Sequence, residues 1–140
     1  MCTGNICRSP IGEVVLRAKL AEAGIDDVIV TSSGTGGWHE GDPMDPRAAA
    51  ALHRRGYDGR SHRAREFRRE WFADRHFVLA MDTGHLAALT RQARGRVDVP
   101  IELFAEADVP DPYYGEDAGF DDVLEQIEKA ADRWVDRLRS

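Results

Sequence analysis

Cys2 and Arg8 stand at the two ends of a run in which Thr3, Gly4, Asn5, Ile6 and Cys7 intervene and Ser9 and Pro10 follow. A thiol and a guanidinium at that spacing, with a glycine between them, can close into a loop whose backbone N–H groups face one centre, and a tetrahedral dianion suits such a centre. Gly4 permits a positive φ, Ser9 suits a helix N-cap, and Pro10 suits the first helical position, where no N–H is needed. The loop then runs into a helix N-terminus, whose unpaired amides and dipole favour phosphate and the thiolate form of Cys2. Arg8 adds a planar fork matched to two phosphate oxygens. The competing reading is a buried cysteine beside an arginine by chance, since most cysteines are core filler. The glycine, the cap and the proline together favour the loop.

A second informative run is Asp108, Val109, Pro110, Asp111, Pro112, Tyr113, Tyr114, Gly115. A carboxylic acid that protonates a departing oxygen can afterwards, as carboxylate, activate water against a covalent intermediate, so one aspartate can serve both steps. Asp-Pro alone ordinarily starts a turn. Asp111 is the candidate because its run follows the last strand expected in the chain; Asp108, three residues earlier, is the second choice. Trp38, after the turn Ser33 to Gly37, is a candidate to stack on a substrate ring.

These residues need a frame. The positions Ile11, Val14, Val15, Ala18 and Ala21 recur at helical spacing from Pro10 to Ala23, with Gly24 as the stop. Asp27 to Ser33 contains a β-branched run that reads as a buried parallel strand. A helix capped by Asp45 with Pro46 at its first position runs to Leu52, and a short helix covers Glu66 to Ala73. His76 to Met81 is a buried strand, Asp82 caps a helix to about Arg94, and Val97 to Phe104 is an edge strand because it contains Pro100. Phe120, Val123, Ile127, Ala131, Trp134 and Leu138 mark one face of a long final helix. Strands alternating with helices predict an α/β domain spanning residues 1–140, with an open four-stranded parallel sheet covered on both faces. Ligands of such sheets bind beyond the carboxyl ends of the strands, where Cys2, Trp38, Asp82 and Asp111 would converge.

Composition narrows the function. Among 140 residues the net charge is −6, and no basic stripe is interleaved with aromatics, which argues against nucleic acid. The arginines between Arg54 and Arg75 are interrupted by acids and read as a solvated face. No apolar run approaches a membrane span and no signal peptide opens the chain, so a cytoplasmic location is expected. Two cysteines without a convergent histidine pair are too few for a structural zinc, and no metal or other cofactor is expected. Cys7 is instead placed to trap an oxidised Cys2 as a reversible disulfide.

The string CTGNICRSP resembles the phosphate loop of the low-molecular-weight protein tyrosine phosphatases, and DPYYG resembles their acid loop. The resemblance runs over nearly the whole chain and implies their fold. It also implies Cys2 as nucleophile, Arg8 and the amides of Thr3, Gly4, Asn5, Ile6, Cys7 and Arg8 as the phosphate cradle, and Asp111 as acid and base. Ile6, Trp38, Tyr113 and Tyr114 would line the substrate pocket. SGTGGWHEG and DPR are similar to the family pattern, and His62 resembles a histidine that joins Asn5, Ser9 and Ser33 beneath the loop. Asp82 is expected both to cap its helix and to support the loop. His85 stands where the family more commonly has asparagine, a departure expected to leave the chemistry untouched. The implied substrates are phosphotyrosine proteins, the product inorganic phosphate, and the simplest assembly a monomer. Protein arginine phosphatases and arsenate reductases of the same fold are the alternatives, with a non-catalytic phosphotyrosine-binding module as the third. The first resemble a loop with threonine in place of Ile6 and lack the tyrosine pair; the second resemble chains with further cysteines downstream. A parallel sheet feeding Cys2 also calls for an apolar strand before it, where only Met1 stands. The chain is therefore expected to be a truncated version of a parent that carries this first strand; if it is complete, it is expected to be poorly folded and weakly active.

Overall fold

The computed structural model describes residues 1–93, 99–113 and 115–139, apart from the side chain of Asp117. Helix α1, Arg8–Glu22, leaves the Cys2 loop, and α2, Pro46–Arg54, follows a long connection. A 3-10 turn, Arg69–Asp74, precedes strand β1, Val78–Ala80; α3, Thr83–Ala93, strand β2, Ile101–Leu103, and α4, Asp117–Arg139, complete the order.

β1 and β2 pair in parallel, Val78 with Ile101 and Ala80 with Leu103. Hydrogen bonding then continues sideways from β1. The Met1 amino group donates to the Leu79 carbonyl and Met81 N–H to the Met1 carbonyl. Cys2 bridges Gly34, and Gly34 bridges Glu66, both in parallel sense. The carboxyl edge of the sheet thus runs β2, β1, Met1–Cys2, Gly34, Glu66, and the loop after Cys2 leaves from its middle. The parallel α/β class is as expected, but among the described residues only two strands have ladders. The other lanes narrow to single bridges, one of them at Glu66, where the sequence reading had only the start of a short helix.

The run from Asp27 to Ser33 corrects an expectation. It is not a buried strand: Ile29 is 91% exposed, and Thr31 is exposed as well. β-branched residues favour a strand only where a neighbour completes the ladder. Here the Val30 and Ser32 carbonyls are taken by the Arg17 and Arg65 guanidiniums instead, and pairing begins only at the Ser33 carbonyl, which accepts from Cys2 N–H.

Helices cover both faces. α1, α2 and α4 share a core of Ile11, Val15, Leu52, Phe120, Leu124 and Ile127, and Trp134 donates its indole N–H to the Phe104 carbonyl at 2.7 Å. On the other face α3 and the 3-10 turn pack Leu89, Phe67 and Phe72 against Val78 and Ala80. The short helix expected over Glu66 to Ala73 is this 3-10 turn. Arg94 and Val97, boundary residues of two expected elements, lie outside the described residues. None of the helices described is long and apolar enough to cross a membrane.

Candidate active site

Cys2 is 3% exposed at the floor of a cleft of about 320 Å³, lined also by Thr3, Gly4, Ile6, Cys7, Arg8, Trp38, His39, Asp111 and Tyr113. The loop faces this cleft because its carbonyls are engaged elsewhere. Those of Cys2 and Thr3 accept from Thr35 and Gly36 N–H, that of Ile6 from Asp45 N–H, that of Cys7 from Ile11 N–H, and that of Asn5 from the His62 ring. Among the described residues, no amide from Thr3 to Arg8 donates to a protein group. Six unspent N–H donors between a thiol and a guanidinium are an arrangement that can receive an oxyanion.

Two details of the loop differ from expectation. The residue with positive φ is Asn5, at 59°, rather than Gly4. Asn5 tolerates the left-handed region because its side chain is held on every side, Nδ2 donating to Ser9 and Ser32 hydroxyls and Oδ1 accepting from Arg65 N–H. The second detail is that α1 begins at Arg8, so Ser9 is not its cap and Pro10 falls at the third helical position, where an N–H is still dispensable. Ser9 is used differently. Its oxygen accepts from Asn5, which leaves one proton, and Cys2 Sγ at 2.9 Å is nearer than the Ser33 carbonyl at 3.4 Å.

Ser32, not Ser33, is the serine whose hydroxyl bonds Asn5; Ser33 contributes its carbonyl, while its hydroxyl donates to Met1 sulfur. The pattern of two adjacent serines could not tell them apart. Gly34 has a steric reason to be glycine, since a Cβ there would lie 2.6 Å from the Thr3 carbonyl. Cys7 is a buried free thiol whose pKa burial and nearby Asp45 push far up, so it stays protonated.

Arg8 is almost wholly buried. Its Nη1 donates to Asp82 Oδ2 at 2.8 Å and to the Val109 carbonyl at 2.9 Å, which fixes the fork, while Nη2 lies 3.5 Å from Asp111 Oδ2. Asp82 also accepts from His85 N–H through Oδ1, capping α3 as expected, and these bonds hold its carboxyl below the ordinary range against the opposing effect of burial. His85 lies against the loop. Its Nε2 meets Thr3 Oγ1 at 2.8 Å, and its Nδ1 lies 3.0 Å from Asp82 Oδ1 without a hydrogen-bonding angle, so it touches both flanks of the loop.

Asp111 is partly exposed and accepts from Tyr113 N–H through Oδ1. Asp108 is elsewhere, accepting from the Thr83 N–H and hydroxyl. Trp38 is 76% exposed and its ring lies on Gly36, where a Cβ would fall 1.6 Å from a ring carbon. Tyr113 stands at the same mouth, and Tyr114 lies outside the described residues. Sequence reasoning assigned no role to His39, which lines the cleft beside Gly4, or to Arg47, which donates to the Tyr113 and Gly115 carbonyls at 2.8 and 3.2 Å. The Asp-Pro-Arg string was the available signal for Arg47.

A loop carrying Cys2 and Arg8 leaves the middle of a parallel sheet with Asp111 at its rim, and the class of protein this chain falls in is a phosphatase family. The chain belongs to the low molecular weight phosphotyrosine protein phosphatase family, whose model matches residues 1–140. It is 45% identical to a low molecular weight protein-tyrosine-phosphatase of Streptomyces coelicolor, over 94% of this chain and 86% of that protein. Among solved structures it resembles Vibrio vulnificus Wzb in complex with benzylphosphonate, with TM-score 0.85, 30% identity and coverage of 97% and 94% of the two chains. It also resembles a Drosophila arginine phosphatase, with TM-score 0.94, 25% identity and coverage of 99% and 95%. Members of the family are hydrolases.

Proposed function

We propose that this chain removes phosphate from phosphotyrosine in proteins through a phosphocysteine on Cys2. The phosphoryl group sits on the amides of Thr3 to Arg8, with the Arg8 fork neutralising its equatorial oxygens as charge develops. Cys2 sulfur attacks phosphorus, the bond from phosphorus to the phenolic oxygen breaks, and Asp111 gives its proton to that oxygen. Water then attacks the phosphocysteine, Asp111 takes a proton from it, and hydrogen phosphate leaves with the sulfur restored as thiolate. Asn5, Ser9, Ser32, His62 and Asp82 hold the loop; Cys7, protonated, takes no part in the attack. The reading is of a monomeric, cytoplasmic enzyme acting in signalling.

The observation that carries this reading is the conjunction of unspent amides from Thr3 to Arg8, a Cys2 sulfur 2.9 Å from the Ser9 hydroxyl, and an aspartate 3.5 Å from the Arg8 fork. A flat aromatic substrate is supported by Ile6, Trp38 and Tyr113 around the mouth. The resemblance to an arginine phosphatase makes phosphoarginine the second substrate to test. Phosphate release is measured from matched phosphotyrosine, phosphoserine and phosphoarginine peptides, with and without vanadate. Preference for phosphotyrosine and block by vanadate are expected, whereas preference for phosphoarginine, or indifference to vanadate, contradicts the assignment.

A further inference from the structure

A second cleft, of about 420 Å³, shares no lining residue with the first. Glu13, Val14 and Arg17 of α1 form one wall, Thr31 and Ser32 another, and Asp58, Gly59 and the run from Ser61 to Arg65 contribute the rest. The two lining carboxylates are already engaged. Glu13 accepts from Arg17 at 2.9 Å and from the Ser32 hydroxyl at 2.8 Å, and Asp58 is clamped by Arg60 through its backbone N–H and two side-chain nitrogens. Two lining arginines are not. The Arg63 guanidinium donates only to the Arg60 and His62 carbonyls; that of Arg65 donates only to the Ser32 carbonyl and stacks 4.9 Å from the Trp71 ring centroid. Neither has a carboxylate partner among the described residues.

His62 is 8% exposed and its Nε2 donates to the Asn5 carbonyl at 2.7 Å. Because Nε2 carries the ring proton, His62 lines the cleft without adding a donor to it. Two planar cations without a carboxylate partner and the hydroxyls of Thr31 and Ser61 are a donor set that phosphate oxygens select. The volume accommodates a phosphate with a small group attached.

The cleft is wired to the loop through one residue. Asn5 lines neither cleft and is wholly buried, and apart from its bond to Ser9 its side-chain and carbonyl bonds go to Ser32, His62 and Arg65, all of which line the second cleft. Those three contacts hold the φ of 59° on which the curvature of the cradle depends.

We propose that this cleft is a second oxyanion site, accepting a small phosphate-bearing ligand between Arg63 and Arg65, and that its occupancy alters the affinity of the Cys2 loop through Asn5. Energetic coupling of this kind is reciprocal, so ligand in the first cleft changes the affinity of the second by the same factor.

The test reads binding rather than turnover, and so stands or falls apart from the assignment of substrate. Backbone amide resonances are followed as inorganic phosphate, and in a parallel arm a nucleoside monophosphate, is added to protein whose first cleft is saturated with an aryl phosphonate. Shifts are expected at Ser32 and from Ser61 to Arg65, with a saturable midpoint that Arg63→Glu weakens by about tenfold, while that variant leaves phosphonate binding at Thr3 to Arg8 in place. The arm with the lower midpoint identifies whether a free or an esterified phosphate is preferred. Phosphonate affinity is expected to change by about fivefold when the second cleft is filled. Shifts absent once the phosphonate is bound, shifts that Arg63→Glu leaves unaltered, or phosphonate affinity indifferent to added phosphate would each overturn the proposal.

Discussion

At the scale of single residues, the chemistry is divided between groups that react and groups that hold them. Cys2→Ser removes the sulfur and is expected to abolish turnover while leaving phosphate binding to the amides intact. Asp111→Asn acts more selectively. General acid catalysis is worth about 10²–10⁴-fold, so kcat/KM for phenyl phosphate should fall within that range, whereas a substrate whose leaving phenol is strongly acidic needs no proton and should lose far less. Equal losses for the two substrates would remove Asp111 from its role as acid. Two buried histidines set a pH dependence of a different kind. Burial, the largest influence on each, holds His62 and His85 below the ordinary imidazole value of 6.5. As pH falls through 6.5 the unfolded chain takes up protons that the folded chain refuses, so stability is full above that value and declines below it until the folded imidazoles titrate. Urea unfolding followed from about pH 7.5 down to about pH 5 should show this slope, and His62→Gln should flatten it; an unaltered slope would mean that His62 titrates normally.

Elements matter because they fix how these side chains meet. The N-terminus of α2 is locked by Asp45, which accepts from Arg47 N–H and guanidinium, and the same guanidinium reaches the Tyr113 and Gly115 carbonyls. Arg47 thereby holds the segment that carries Asp111 without touching the reacting atoms. Since a displacement of about 1 Å can cost up to about 100-fold, Arg47→Lys should lower kcat/KM for phenyl phosphate toward that limit. It should spare the substrate with the acidic phenol, a split that mere unfolding would not produce. This element logic was only half legible in the sequence. Periodicity and caps located α1, α2, α3 and α4 because helices announce themselves locally, through Asp45, Pro46, Gly24 and Gly56. The lanes of the sheet did not announce themselves. The residues from Val28 to Thr31 have the composition of a strand but lack a ladder, and Glu66 joins the sheet with no β-branched run at all, because pairing depends on partners distant in sequence. Local motifs singled out Cys2, Arg8, Asp111 and Trp38, while Ser32 and His39 became visible only when the fold brought distant segments against the loop.

At the scale of the whole molecule, one core supports the cradle from beneath. α1 and α4 pack face to face, so the helix that begins at Arg8 is fixed by the helix that ends the described chain. Leu124, wholly buried at their contact, is expected to cost about 2–5 kcal/mol when changed to Ala, a large share of the roughly 5–15 kcal/mol that stabilises a typical domain. A urea midpoint unchanged by that substitution would show that α4 is not part of the cooperative core. Asn5, between Cys2 and Arg8 in the loop, is bonded to Ser32, His62 and Arg65 of the second cleft, and this is the route by which a ligand at Arg63 would matter to a sulfur at Cys2.

The central claim is that phosphorus passes through the sulfur of Cys2. A reaction with an aryl phosphate, quenched in acid during turnover and digested, permits fragment mass analysis of the peptide that carries both Cys2 and Cys7. One phosphoryl group on Cys2, absent from Cys7 and from the Cys2→Ser protein, is the predicted result. Turnover without any phosphorylated Cys2, or a phosphoryl group found on another residue, would contradict the account.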